Sequence, residues 1–158
     1  MALIHVSNST DLPTPAAAVW SLVSDFGRAA TWQPHVASAE MQADGNRRLT
    51  FASGGSVIDR IFFRNDDARI LTYGIADHER SVAPGGGPML LTNLRATIEV
   101  SEMHEGCQVT YTIQADVDDE RLAAVRKGVD ADVNGSLARL ADLYRGEGVQ
   151  VPSGSPDA

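Results

Sequence analysis

The sequence predicts an α+β fold in which a seven-stranded antiparallel sheet packs against helices on one side. Apolar residues recur at helical spacing near both ends of the chain, and the segment between them alternates with a period of two. Short turn sequences separate the alternating segments, so consecutive strands should pair as antiparallel hairpins. The length of 158 residues suits one domain. We expect that domain to span residues 1–145. Residues 146–158 should form a flexible tail, because they are rich in Gly, Ser and Pro.

The first strand is predicted over residues 2–8, and the first helix begins at Thr14 and Pro15. Thr14 can cap the first turn, and proline suits the first helical position because its missing N–H is not needed there. Gly27 should end the helix. Its apolar positions have helical spacing and are Ala16, Val19, Trp20, Val23 and Phe26.

Six further strands follow, at 36–43, 47–53, 56–64, 69–77, 89–101 and 107–117. Hairpin turns are indicated at 44–46, which reads Asp-Gly-Asn, at 65–67 and at 105–106. Residues 81–88, SVAPGGGP, predict a longer irregular loop between two of the strands.

The last helix should begin near Asp118 and Asp119, whose carboxylates suit a helix N-terminus, and end at Gly146. It would be about 40 Å long, which is unusual for so small a domain. Its apolar stripe advances in steps of three and four residues through Leu122, Val125, Val129, Val133, Leu137, Leu140 and Tyr144. Any ligand contact from this helix should come from its middle, near Val129 to Leu137.

The strand at 56–64 places an acid on its apolar face, which comprises Val57, Asp59, Ile61 and Phe63. The opposite face carries Arg60 and Arg64, which favour water. An unpaired buried carboxylate is costly, so Asp59 must be paired, protonated or exposed to a wet cavity. Arg47 is a possible partner, because it shares the inner face of its strand with Leu49 and Phe51.

Alternation assigns further residues to the inner face of the sheet. The larger ones include Leu71, Tyr73, Ile75, Leu90, Leu94, Tyr111 and Ile113. Several are small, namely Ala37, Ala39, Thr92, Ala96 and Ala115. A broad sheet lined by small side chains should leave a hollow against the long helix.

Several polar residues are candidates for chemistry. An apolar cavity would raise the pKa of Asp59 and suit it to proton transfer, although a structural ion pair with Arg47 is an equal alternative. Tyr73 and Tyr111 could bind a ligand oxygen, or they could be core residues with satisfied hydroxyls. His35 and His78 could reach the cavity mouth, but surface positions are favoured for both.

The composition argues against several classes of protein. The net charge of −8 and the scattered basic residues disfavour nucleic-acid binding, and no apolar run is long enough for membrane insertion. Cys107 is the single cysteine, which fits a cytoplasmic location. The scattered histidines disfavour a metal site. We expect a monomer or a homodimer.

Two segments resemble a known family. Residues 15–34, PAAAVWSLVSDFGRAATWQP, and residues 47–75, RRLTFASGGSVIDRIFFRNDDARILTYGI, resemble the polyketide cyclase/dehydratase-like branch of the START and birch-pollen-allergen-like helix-grip (SRPBCC) superfamily. The resemblance covers Leu3 to about Tyr144. It implies a curved sheet wrapped around the C-terminal helix, with an apolar ligand cavity between them. It also places Asp59 where the family often has a cavity-lining Glu, and it places loops 53–56 and 78–88 at the cavity mouth.

The family that the sequence resembles contains cyclases, dehydratases, lipid carriers and ligand sensors. Among these, we expect a cofactor-independent cyclase or dehydratase that acts on a polyketide-like substrate. Asp59 would move the proton, Tyr73 would orient an oxygen, and His35 would be a further acid or base. The expected ligand-binding residues are Arg47, Phe51, Val57, Ile61, Ile75, His78, Thr92, Leu94, Tyr111, Ile113, Val133 and Leu137. The alternative is a carrier or sensor of a lipid, polyketide or aromatic metabolite, in which Asp59 anchors a polar group or pairs with Arg47.

Overall fold

The computed structural model describes residues 1–150, and for residues 146–150 it describes the backbone alone. The strands are β1 (Ala2–Leu12), β2 (Val36–Met41), β3 (Arg47–Phe51), β4 (Ser56–Asn65), β5 (Ile70–Ile75), β6 (Thr92–Met103) and β7 (Gly106–Val117). The helices are α1 (Ala16–Val23), α2 (Ala29–Trp32) and α3 (Leu122–Gln150). Short 3₁₀ turns at Phe26–Arg28 and Asp119–Arg121 precede α2 and α3.

The seven strands form one antiparallel sheet in the order β1-β7-β6-β5-β4-β3-β2. Strands β2 to β7 each lie beside their sequence neighbours, and β1 pairs with β7. Helix α3 packs across β1 and β7. The prediction of a seven-stranded antiparallel sheet with a long C-terminal helix is therefore confirmed.

The inner face of the sheet and one stripe of α3 share the main hydrophobic core. Alternate residues of β7 are buried from Cys107 to Val117, as the period of two predicts. On α3, the buried stripe comprises Val129, Val133, Leu137 and Leu140. Burial of each such side chain contributes roughly 1.5–3 kcal/mol, so this seam fixes α3 over the sheet.

The helix ends differ from the predicted ones. Pro15 is the N-cap of α1 and no side chain caps the helix, so the assignment of Thr14 as the cap is wrong. Helix α1 also ends at Val23 instead of Gly27, and Asp25 accepts a hydrogen bond from the Gly27 N–H at the next turn.

Helix α3 continues through Gly146 to Gln150. A glycine costs a helix only about 1 kcal/mol, which a long helix tolerates. The predicted helix end at Gly146 is therefore wrong. Of the predicted tail, residues 151–158 lie outside the described residues. No helix in the described part of the chain is both long and apolar enough to cross a membrane.

Bulges correct the predicted faces of three strands, because one extra residue reverses the alternation beyond it. A register shift between Ile61 and Phe63 turns Phe63 outward, and a shift in β2 leaves Ala37 exposed. In β6, a shift between Thr92 and Arg95 coincides with a positive φ at Asn93. The assignment of Thr92 to the inner face is therefore wrong. The same irregularity brings Leu91, rather than Leu90, to the inner side.

Candidate functional site

A cavity of about 110 Å³ lies between the sheet and α3. Strands β3 to β7 supply its floor, α3 supplies its roof, and residues 84–91 border one side. The predicted site residues that line it are His35, Phe51, Val57, Asp59, Tyr73, Ile75, Leu94, Tyr111 and Ile113. The expected hollow therefore exists, but of the five small residues predicted to face it only Ala96 lines its wall.

Six predicted ligand-binding residues lie elsewhere. Arg47 is buried against Asp59 and does not line the cavity. Ile61, Val133 and Leu137 belong to the hydrophobic core. His78 and Thr92 line an adjacent depression, which meets the cavity wall at Leu91, and Nε2 of His78 lies 3.0 Å from the Leu91 carbonyl oxygen.

Asp59 and Arg47 face each other across β3 and β4 and are 3% and 2% exposed. The Arg47 Nε and Nη2 donate to Oδ2 of Asp59 over 3.3 and 3.2 Å. Arg47 also donates to the Phe26 carbonyl, and its guanidinium carbon lies 3.7 Å from the centre of the Phe26 ring. Both bonds from Arg47 end on Oδ2, so Oδ1 has no hydrogen-bond partner among the described residues.

The burial of Asp59 has a chemical consequence. Loss of hydration disfavours the carboxylate and outweighs the charge and hydrogen bonds of Arg47, which raises the pKa of Asp59 to about 6. The carboxyl group therefore changes its protonation state close to neutral pH, at the wall of an apolar cavity. This is the arrangement that a proton-transfer residue needs.

Tyr73 and Tyr111 form a buried pair beside Asp59. Their hydroxyl oxygens are 2.9 Å apart, and burial holds the pKa of Tyr111 well above its usual value. The Tyr111 ring contacts Trp32, and the Tyr73 ring contacts Phe26. Their mutual hydrogen bond uses one proton, so the other hydroxyl proton is available to a ligand oxygen.

His35 and Asp132 lie where the cavity meets solvent, with side chains 24% and 38% exposed. The His35 Nδ1 is 3.8 Å from Oδ1 of Asp132 and, although buried, has no hydrogen-bond partner. Its ring stacks on Phe51. Burial lowers the pKa of His35 and raises the pKa of Asp132, while their mutual attraction opposes both shifts.

Periodicity did not indicate Asp132, although this residue lies three residues after Val129 and borders the apolar stripe of α3. Gln33, Pro84, Met89 and Leu91 also line the cavity. They lie between regular elements, where periodicity gives no signal. In the part of the chain that the structure describes, no three potential metal ligands come together.

Several solved structures share this fold. The protein XoxI from Bacillus cereus is 25% identical, with a TM-score of 0.69 over 92% of this chain and 96% of its own. A START superfamily protein from Mycobacterium smegmatis is 14% identical, with a TM-score of 0.70 over 90% of this chain and 98% of its own. The di-domain ARO/CYC StfQ from the steffimycin biosynthetic pathway is 12% identical, with a TM-score of 0.67 over 92% of this chain and 52% of its own.

The last two likenesses show the fold alone, which is the curved helix-grip fold of the START superfamily. No curated protein matches the sequence. Residues 4–145 match the family described as polyketide cyclase/dehydrase and lipid transport. With most of its length matched, this chain belongs to that polyketide cyclase/dehydrase and lipid transport family.

Proposed function

We propose that this protein binds a small oxygen-bearing hydrophobic molecule in its cavity and moves a proton on it, as a cyclase or dehydratase does. The observation that carries the proposal is Asp59, a carboxyl with a pKa of about 6 on the wall of an apolar cavity. General acid–base catalysis works best when the pKa of the catalytic group lies near the operating pH. The family description supports this reaction class.

We assign the following roles for the enolisation of a β-dicarbonyl unit. Ionised Asp59 takes a proton from the carbon between two carbonyl groups, and the electron pair of the C–H bond moves into an enolate. The free hydroxyl proton of the Tyr73–Tyr111 pair binds the enolate oxygen. The enolate carbon can then attack a further carbonyl, and protonated Asp59 returns its proton to the resulting alkoxide, which becomes a hydroxyl. For dehydration, Asp59 takes the remaining proton from the same carbon and returns it to the hydroxyl, which leaves as water as the carbon–carbon double bond forms. Every proton that Asp59 accepts is therefore given back.

The size of the cavity limits the part of the substrate that can be enclosed. A cavity of about 150 Å³ is known to hold benzene, so about 110 Å³ encloses only part of one ring, and the rest of the ring must lie in the mouth. A longer substrate would extend through the mouth between His35 and residues 84–91. We therefore expect the reacting carbons to lie inside the cavity and the rest of the substrate to lie in the mouth.

A second candidate function is a carrier that performs no chemistry. The ion pair of Asp59 with Arg47 favours this candidate, because an ion pair can neutralise two buried charges without taking part in any reaction. In that case, the cavity binds the ligand and Asp59 contributes shape and polarity. The two candidates differ in whether Asp59 exchanges a proton with the ligand.

Filling the cavity should abolish both binding and proton transfer. Ala96 is 1% exposed and lines the cavity, so the larger side chain of Ala96→Leu should occupy much of the space. We expect the wild-type protein to accelerate deuterium exchange at the central carbon of acetylacetone. The variant should lose at least about tenfold of that rate, since substrate can no longer approach Asp59. Proton NMR measures the exchange.

The matched control is Ala37→Leu, because Ala37 is exposed on β2 and lies outside the cavity. It should exchange at the wild-type rate. Overpacking costs about 1–3 kcal/mol, so circular dichroism must show that both variants are folded at the assay temperature. Undiminished exchange in folded Ala96→Leu would place the reaction outside the cavity and contradict the proposal.

A further inference from the structure

We infer that His35 and Asp132 form a polar subsite at the cavity mouth that binds a hydroxyl group of the ligand and rejects a carboxylate. This inference rests on the proposed function and specifies which substrates fit it. Both residues line the cavity, and their facing atoms are 3.8 Å apart. That separation exceeds a hydrogen bond, so neither atom satisfies the other.

One side-chain atom of His35 lacks a hydrogen-bond partner. Its Nδ1 is buried and has no partner, whereas buried polar atoms in folded proteins are nearly always paired. The His35 ring stacks on Phe51, with their planes 19° apart. Asp132 is held on α3, one residue before the fully buried Val133. Nδ1 of His35, in the turn before β2, thus faces Oδ1 of Asp132, on a helix, across 3.8 Å.

One hydroxyl oxygen can bind both residues, because it can lie about 2.8 Å from Nδ1 of His35 and about 2.8 Å from Oδ1 of Asp132 at the same time. In this arrangement, the Nδ1–H of His35 donates to the ligand oxygen, and the ligand hydroxyl donates to Oδ1 of Asp132. A carboxylate can accept from His35 but would meet the negative charge of Asp132, and a methyl group can do neither. The chain also carries a net charge of −8, which disfavours anionic ligands further.

The ligand class that follows has oxygen at two ends of an apolar body. One oxygen lies beside Asp59 and the Tyr73–Tyr111 pair, and a neutral hydroxyl, phenolic or enolic, lies between His35 and Asp132. A fatty acid with its carboxylate at the mouth does not fit. The subsite also orients the substrate, because only one end carries the group that His35 and Asp132 bind together.

Toluene, phenol and benzoate test the subsite, since they differ chiefly in the group attached to one ring. We expect wild-type protein to bind phenol about fivefold to tenfold more tightly than toluene, which is the usual range for one or two hydrogen bonds. Benzoate should bind more weakly than phenol. Ligand-observed NMR titration measures all three affinities.

Two variants test which residues cause the preference for phenol over toluene and benzoate. His35→Phe keeps a ring to stack on Phe51, and it should reduce phenol affinity to the level of toluene while toluene affinity stays constant. Asp132→Asn should bring benzoate affinity up severalfold. The control Asp130→Asn makes the same change in charge at an exposed position of α3 outside the cavity, and it should alter none of the three affinities.

The outcomes separate this inference from the proposed function. Toluene binding with no preference for phenol overturns the subsite and leaves ligand binding in the cavity intact. A phenol preference that survives His35→Phe but disappears in Asp59→Asn places the hydroxyl at the inner end and also overturns it. An equal gain in benzoate affinity from Asp130→Asn would show that Asp132 acts only through the net charge of the protein, and it would overturn the rejection of carboxylates by the subsite. If none of the three probes binds, the subsite is overturned, whereas the proposed function is tested separately by deuterium exchange into acetylacetone.

Discussion

Replacement of Asp59 by Asn is expected to slow deuterium exchange into acetylacetone by about a hundredfold or more. Asparagine has nearly the same shape and can still accept hydrogen bonds from Arg47, but its amide cannot take up a proton from carbon. Acetylacetone affinity should change by less than about threefold, because the cavity and the Tyr73–Tyr111 pair remain. Exchange is followed by proton NMR, and affinity by titration in the same buffer.

The control for this substitution is Asp67→Asn, which makes the same change at an exposed position of the β4–β5 turn. It should behave as wild type in both measurements. Loss of exchange with retained binding would assign the proton transfer to Asp59. A carrier would instead bind acetylacetone without accelerating exchange in any form of the protein, and full exchange in Asp59→Asn would remove Asp59 from the mechanism.

Replacement of Arg47 by Met is expected to lower the free energy of unfolding by about 3–5 kcal/mol at about pH 8. The substitution leaves the Asp59 carboxylate buried without a partner and the Phe26 carbonyl without its donor. It also removes the guanidinium from between the rings of Phe26 and Tyr73. Urea unfolding followed by circular dichroism measures the loss, which should be smaller at about pH 5, where Asp59 can be protonated.

A second substitution distinguishes loss of the pair from loss of packing. Addition of Asp59→Leu to Arg47→Met should restore most of the stability, because an apolar pair of similar size leaves no buried charge. The control is Arg60→Met on the exposed face of β4, which should cost less than about 0.5 kcal/mol. A loss below about 1 kcal/mol in Arg47→Met alone would show that Asp59 does not depend on Arg47.

Periodicity predicted the architecture because the core is built from repeating contacts. The alternation along β7 and the three- and four-residue steps through Val129, Val133 and Leu137 each report which side chains face the interior. They therefore located the strands, the long helix and the inward position of Asp59. Periodicity could not predict the bulges near Phe63 and Thr92, because a bulge adds one residue without a distinctive sequence.

The sequence predicted only part of the candidate site, because several of its residues interrupt no periodic pattern. Asp59 was noticeable because a charge on an apolar strand face violates the pattern around it. Asp132 violates no pattern, since an acid at the edge of a helical stripe is ordinary in an amphipathic helix. Its proximity to His35 depends on how α3 lies over the sheet, which is a tertiary property. The walls formed by residues 84–91 likewise depend on a loop path that has no period.

The titration of Asp59 is the most direct test of proton transfer, and carbon NMR of the labelled carboxyl group can follow it, with Asp59→Asn to assign the signal. We predict a midpoint near 6, above the ordinary value of 3.8. Because the pKa is raised in the folded state, this group's contribution to stability is fully present below 3.8 and is lost as the pH rises through about 6. A midpoint at or below the ordinary value would show a permanently ionised partner of Arg47, and it would contradict proton transfer by Asp59 near neutral pH.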